Sequence, residues 1–487
     1  MTRVSNLFSL GVTQGGLDFV DVDVDEDAPV FIDPSAIRSQ TGDWVESCYE
    51  SLQSFFSELL AAIRGQDQGR IGELVFPLVE PNETHLGLSA GKSRGSGLGN
   101  KKKAAQLVRS LARSKAAQSG FLKDLEDTAL FVPGVDKDIV SDITTSVIRN
   151  QLIEYTQRMC LFYGIPMDVQ VSGPFWDASD KKWKEDNVAL PRGGMDKLLL
   201  VPKSIVRVKL TVDKGKYYRG YLRPYFEALE VADPKSNLVR LLRDKRRKVV
   251  KGELDKKLGT TKADIIKNTQ VFPVALDDYR RAIDSAENAS LADQDLSART
   301  GTPPVDVVEM LEELKSILPG RGGATPYHRA VAKILTALFD TYLGNCRLEE
   351  DLHGGLKRLD IVFDNIAANG FFDWVRKNFS AAYIVVECKN YGEKEPANPE
   401  FDQIAMRLSP TRGQIGILTV RSLADKQRAM SRAKTISGDQ HGFVLVLDDD
   451  DIAELVDEYV AHFANFEEEP RPLAVLRRRF DELVGMN

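Results

Sequence analysis

The sequence has little of what builds covalent or metal-stapled scaffolds. It holds four cysteines in 487 residues, Cys48, Cys160, Cys346 and Cys388. They are too few and too scattered for a disulfide framework or a Cys-based zinc site. The five histidines, His85, His328, His353, His441 and His462, show no H-x-x-x-H spacing, which argues against a histidine zinc site. No apolar run approaches the roughly 20 residues a membrane span needs. No self-similarity appears at a period of about 20–50 residues, which excludes the common solenoids. The opening stretch MTRVSNLFSLGVTQGG lacks the apolar segment of a secretion signal, so a reducing cytoplasm is the expected compartment and no membrane partner is expected. Positive charge is not in excess either. Lys plus Arg number 65 against 72 Asp plus Glu, a net charge of −7, and this balance leans against a nucleic-acid partner.

What is present is an ordinary folding composition, 43% hydrophobic and 28% charged. At roughly 100–200 residues per domain the length suggests two to four domains. Local composition divides the chain into an N-terminal α+β region over 1–282, a small, polar and acidic linker over 283–324 with a short helix at 305–318, and a second domain over 325–487. In the first region LDFVDVDVD (17–25) alternates apolar and acidic residues and predicts a half-exposed strand. Residues 44–64 and 138–163 carry apolar residues three and four apart and predict amphipathic helices.

Two stretches are locally basic. From Lys92 to Lys115 there are eight Lys or Arg and no acid, including Lys92, Arg94, Lys101 and Lys102. The segment GKSRGSGLGNKKKA has the ingredients of a phosphate-cradling loop but matches neither the P-loop nor the dinucleotide fingerprint. A loop touching nucleic-acid backbone, a plain connection and a nucleotide trigger site all fit it. The stretch 240–262 has ten Lys or Arg, including Arg246 and Arg247, against three acids. It reads as a solvated face or a phosphate contact, and residues 238–257 read as a helix at their start.

From Pro326 the pattern becomes helix, strand, strand, strand, helix, strand, helix, strand, a mixed α/β layer domain. Its sharp feature is polar. RLDIVFDN places Asp360 among apolar neighbours, and YIVVECKN ends an apolar strand with Glu387 and Lys389. Residues two apart on a strand share a face. An E-x-K triplet alone is common and usually marks a solvated strand face or a salt bridge. Here both faces of the strand are expected to be buried, and buried charges need partners or a task. With Asp360 on the neighbouring strand, two carboxylates could chelate magnesium, and the lysine could orient a water or stabilise phosphate charge. That is the minimal equipment for metal-assisted phosphodiester hydrolysis. The acidic run Asp448–Asp451 reads as a cap on the following helix.

RLDIVF followed by YIVVECKNY, in this element order, resembles the PD-(D/E)xK nuclease superfamily over roughly residues 325–455. The resemblance implies a restriction-endonuclease-like, three-layer α/β/α core and a magnesium (or manganese) cofactor. It implies metal ligation by Asp360 and Glu387 and a catalytic role for Lys389. Many members add a Glu in the first helix, where this chain offers His328, which reads better as a satisfied histidine than as a ligand. Glu349 and Glu350 are the alternative acids, with Glu350 favoured by alternation. Some Mrr-like members carry Gln-x-x-x-Tyr after the E-x-K strand; here Gln403 matches and Arg407 stands in the Tyr position. Asn390 and Tyr391 are read as cleft-lining, and Lys357 or Arg358 as a phosphate contact. The implied function is a DNA endonuclease in restriction or antiviral defence, with the N-terminal region recognising substrate, sensing a nucleotide or protein trigger, or building a homo-oligomer. A non-catalytic nucleic-acid-binding protein on a nuclease scaffold is the alternative.

Overall fold

The computed structural model describes residues 2–78, 81–87, 110–111, 114, 122–194, 196–242, 246–285, 291–349, 360–392, 394–410, 413–438, 442–464 and 471–485. Two large hydrophobic cores organise them. The first runs from Val4 to Leu296; the second takes Phe162 and then Val307 to Leu483, and Tyr163 packs against both. The stretch expected to be a linker is therefore shared out: Leu296 belongs to the first core, and Val307 and Leu314 to the second.

In the first unit the helix Asp43–Arg64 forms as its spacing predicts, burying Trp44, Cys48, Leu52, Phe55, Phe56, Leu59 and Ile63 along one side. The helix expected over 138–163 is two, Lys137–Val147 and Arg149–Tyr163, separated at Ile148. Residues 17–25 depart further from expectation. They make only isolated bridges, Phe19 with Pro202 and Arg3 with Asp23, and both parities of the alternation are buried. The acids are tolerated inside because donors meet them: Tyr155 donates to Asp18 at 2.7 Å and Ser5 to Asp21 at 2.6 Å. Residues 238–257 do not begin as a helix. They form a hairpin, Val239–Leu241 with Arg247–Val249, followed by the helix Lys251–Leu258.

The second unit is built on a five-stranded mixed sheet, and the chain as a whole is a mixed α/β protein. Its strands lie in chain order: Leu343–Glu349, Asp360–Asn365, Tyr383–Lys389, Ile415–Val420 and Phe443–Leu447. The first two pairings are antiparallel and the last two parallel. A helix, Gly370–Phe379, separates the second and third strands where the sequence reading has none.

Helices cover both faces. Ala324–Leu338 lies over the face that carries Cys388 and Cys346, and its His328 bonds the Cys388 carbonyl. Asn398–Ala405 lies over the other face, and it comes close because Gly416 has no side chain. A Cβ there would stand 2.9 Å from Ile404 Cδ1. Among the described residues no helix is long and apolar enough to cross a membrane. All four cysteines are buried and free.

Candidate functional site

The third strand is the centre of the sheet, paired on both edges and covered on both faces, which accounts for its apolar run YIVVECK. Its two charged residues stand at its C-terminal end, on one face, and both are buried: Glu387 is 0% and Lys389 2% exposed. Lys389 Nζ donates to Glu387 Oε1 and, at 3.0 Å, to Gln403 Oε1 on the helix Asn398–Ala405. Glu387 Oε2 is buried and has no hydrogen-bond partner among the described residues. Leaving such a buried acceptor unsatisfied costs about 1–3 kcal/mol, and more when charged. The structure therefore brings together three of the residues singled out in the sequence, Glu387, Lys389 and Gln403, and leaves one carboxylate oxygen without a donor among the described residues.

Backbone register locates the neighbours. Ile361 pairs with Val386 and Val362 with Val385, so the same register sets position 360 across from 387. Asp360 begins the second strand; its side chain lies outside the described residues. Glu349 pairs with Asp360 in the first strand. The expectation that favoured Glu350 over Glu349 rested on unbroken alternation along this strand, and the strand is bulged. The register shifts between Gly344 and Arg347, so Asn345 and Cys346 together oppose Phe363. A one-residue bulge inverts alternation beyond it. Position 349, not 350, is the one set across from 360, and Glu350 itself lies outside the described residues.

His328 is not a ligand in this arrangement: its Nε2 bonds the Cys388 carbonyl at 2.8 Å. Asn390 does not line an open cleft. It is buried and donates to the carbonyls of Leu318 and Gly320, both at 3.0 Å, and so fastens the loop ahead of Ala324–Leu338. Tyr391 donates to Glu400 at 2.7 Å. Burial pushes the Glu400 carboxyl up, but the bonds from Tyr391, the Ala397 N–H and Lys394 outweigh it and hold the group below its ordinary range.

Asp448 and Asp451 form a reciprocal cap at the start of Asp449–Ala464: Asp451 N–H donates to Asp448 at 2.9 Å and Asp448 N–H to Asp451 at 3.1 Å. The acidic run caps a helix, as its sequence suggests. Between its caps Asp449 takes a bond from Tyr327 at 3.0 Å and an ion pair with Arg421 at 3.1 Å. Burial pushes its carboxyl up to about 6 against the pull of Arg421 and Tyr327. Arg421 also donates to the carbonyls of Leu314 and Lys315, clamping the helix Val307–Ser316 onto the sheet. Nothing in the local sequence announces this arginine.

Of the basic candidates, Lys92, Arg94, Lys101, Lys102, Lys357 and Arg358 lie outside the described residues. Arg246 and Arg247 lie on the hairpin of the first unit. Across that hairpin Lys248 directly opposes Arg240, and both are exposed. Like charges placed opposite one another repel, and a bound anion relieves the repulsion. Among the described residues no group of three His, Cys, Asp or Glu side chains is placed to hold a metal ion. A groove of ≈ 310 Å³ between the helices Asn398–Ala405 and Lys426–Gly438 lies beside Phe401, Met406, Arg432 and Ile436, and Gln403 and Lys389 do not line it.

A family profile described as a domain of unknown function (DUF8370) matches residues 9–213, within the first unit. No curated protein and no solved structure was found to match the chain.

Proposed function

We propose that the second unit is a metal-dependent nuclease of the PD-(D/E)xK type, cleaving DNA with magnesium or manganese. The observation that carries this reading is the buried Glu387–Lys389 pair on one face of the central strand, with Glu387 Oε2 lacking a partner among the described residues. The strand order is compatible with it: a mixed five-stranded sheet lies between helical layers, with position 360 set across from 387.

The donor set suits a hard cation, since carboxylate oxygens are what magnesium takes. Glu387 would hold it through Oε2, together with Asp360. Such an ion lowers the pKa of a bound water and neutralises charge on the phosphoryl oxygens. Lys389 has its ammonium held between Glu387 and Gln403. Facing a phosphodiester, it would orient the attacking water and stabilise negative charge building on the scissile phosphate. Gln403 fixes the direction of that ammonium. The wall of apolar side chains around the strand lowers the local dielectric and strengthens each of these interactions.

The opposed Arg240 and Lys248 favour a backbone-binding surface on the first unit, which suits a nucleic-acid substrate despite the net charge of −7. A setting in restriction or antiviral defence follows from the same resemblance. Cleavage of plasmid, linear and single-stranded DNA and of RNA, with and without magnesium, tests the reading in wild type and Glu387→Gln. Magnesium-dependent cutting by the wild type alone is the expected result. Equal cutting by both proteins overturns the site. Salt-dependent binding without cutting under either metal would favour the non-catalytic alternative.

A further inference from the structure

The first unit grips the sheet at the bulge that sets its alternation. Asn345 sits there at φ 53°, a left-handed conformation that asparagine adopts more readily than most residues. A bulge takes its backbone amides out of the ladder, and here the first unit packs against it. The Asp18 carboxylate lies beside the bulge, where the backbone of Asn345 and Cys346 helps hold its proton affinity down against burial, and Tyr155 donates to it at 2.7 Å. The Asn345 side chain donates to Asp364 at 2.6 Å and accepts from Arg158 at 3.2 Å. Arg347 bonds Asp364 at 2.7 Å on the far side of the bulge. A Cβ on Gly42 would stand 3.1 Å from the same Asp364 carboxylate. Asp18, Gly42, Tyr155 and Arg158 all fall in the region matched by the family profile.

We infer that Asp18 and Asn345 are positioning residues for the nuclease site: the first unit builds the bulge, and the bulge decides which residue of the edge strand stands across from position 360. With the bulge, position 349 stands there. The pairing of Leu343 with Asn365, continued without the bulge, would put Leu348 there instead and turn position 349 to the opposite face. The two registers are discrete, so a loosening of the first unit at Asp18 has a switch-like effect at the Glu387 end of the sheet. The contact between the units is thereby the route by which the first unit controls cleavage. This inference rests on the nuclease reading above.

The test uses the full chain and compares Asp18→Ala, Asp18→Asn, Asn345→Val and Asn345→Gly in magnesium-dependent DNA cleavage and in manganese binding followed by electron paramagnetic resonance. Asn345→Gly keeps the left-handed bulge, because glycine adopts positive φ at no steric cost, but gives up the side-chain bonds to Asp364 and Arg158, so it should lose markedly less cleavage than Asn345→Val. Asn345→Val and Asp18→Ala should each lose about 10–100-fold in kcat and in manganese affinity, the range found when the outer supports of a metal site are removed, with KM for DNA little changed. If Asn345→Val or Asp18→Ala fails to fold, Asp18→Asn against Asn345→Gly decides by the same criterion. Wild-type kcat and manganese affinity in the Asp18 variants overturn the inference alone, provided that Glu387→Gln is dead. A wild type that neither cuts nor binds manganese overturns the nuclease reading and this inference together.

Discussion

Lys389 holds its ammonium between two acceptors of different kind, the Glu387 carboxylate on its own strand and the Gln403 amide carbonyl, 3.0 Å away on the covering helix. The charged acceptor and the ammonium neutralise one another inside the protein, so neither can be removed alone without leaving a buried charge.

Stability and activity should therefore separate at this pair. Lys389→Ala leaves Glu387 buried and uncompensated, a change that costs about 3–5 kcal/mol in buried ion pairs. The double variant Glu387→Gln with Lys389→Met removes both charges and should recover most of that loss while cutting no DNA. Urea denaturation with a parallel cleavage assay measures both. A double variant as unstable as Lys389→Ala would contradict the buried-pair account.

Gln403→Ala should be milder. It deletes one hydrogen bond to a charged group, worth about 1.5–3 kcal/mol, or about 10–100-fold if all of it is expressed in the transition state. The expected signature is a fall in kcat with the KM for DNA unchanged. A rise in KM alone would make Gln403 a substrate-binding group.

The seam between the two units should titrate. Asp293 is fully buried, takes a 2.6 Å bond from Lys203, and donates its N–H to Asp340 at 3.0 Å. Burial pushes its carboxyl up from the ordinary 3.8 to about 7; Lys203 pulls it back and Asp340 pushes it further. The folded chain thus holds this proton more tightly than the unfolded one. The contribution to stability is complete below about pH 4 and is lost as the pH rises towards 7, on the order of a few kcal/mol. Asp293→Asn, which cannot titrate, should lack that decline when denaturation is followed from pH 4 to 8. Parallel curves for the two proteins would contradict it.

The acidic run should behave as a cap and not as a metal site. Asp448→Ala should cost about 0.5–2 kcal/mol, as loss of an N-cap does. The magnesium concentration that half-saturates cleavage should stay where it is. A shift in that concentration would return these carboxylates to the metal.

The exposed Arg240–Lys248 pair predicts a salt effect. Replacing both by alanine should weaken DNA binding irrespective of sequence and reduce the slope of log affinity against log salt by about 2. An unchanged slope would remove the hairpin from the interface.

The parts of this chain that are legible in its sequence are those where one physical signal dominates. Strand Tyr383–Lys389 is readable because burial on both faces demands an unbroken apolar run, and its two charges stand out against that run. The helix Asp43–Arg64 is readable from its single apolar stripe. Where signals compete, the reading fails. Asp18, Asp21 and Asp23 alternate with apolar residues and look solvated, yet Asp18 finds its partner Tyr155 137 residues away and Asp21 finds Ser5 16 residues away. The bulge at Asn345 needs positive φ without a glycine to mark it, so alternation points to Glu350 where the register points to 349. The helix Gly370–Phe379 is short, with Phe371, Phe372 and Val375 buried, and apolar residues at that density suit a strand as well as a helix.

The clamp of Arg421 on Leu314 and Lys315 has a consequence for evolution and for engineering. A cut at residue 325, where composition alone would place it, tears the helix Val307–Ser316 from the sheet and exposes the surface that Leu314 and Val307 cover. The portable cassette begins ahead of Asp306, whose side chain caps that helix. Even there the cassette loses Arg158, so a chimera that swaps the partner unit must bring its own donor for the Asn345 side chain at the bulge.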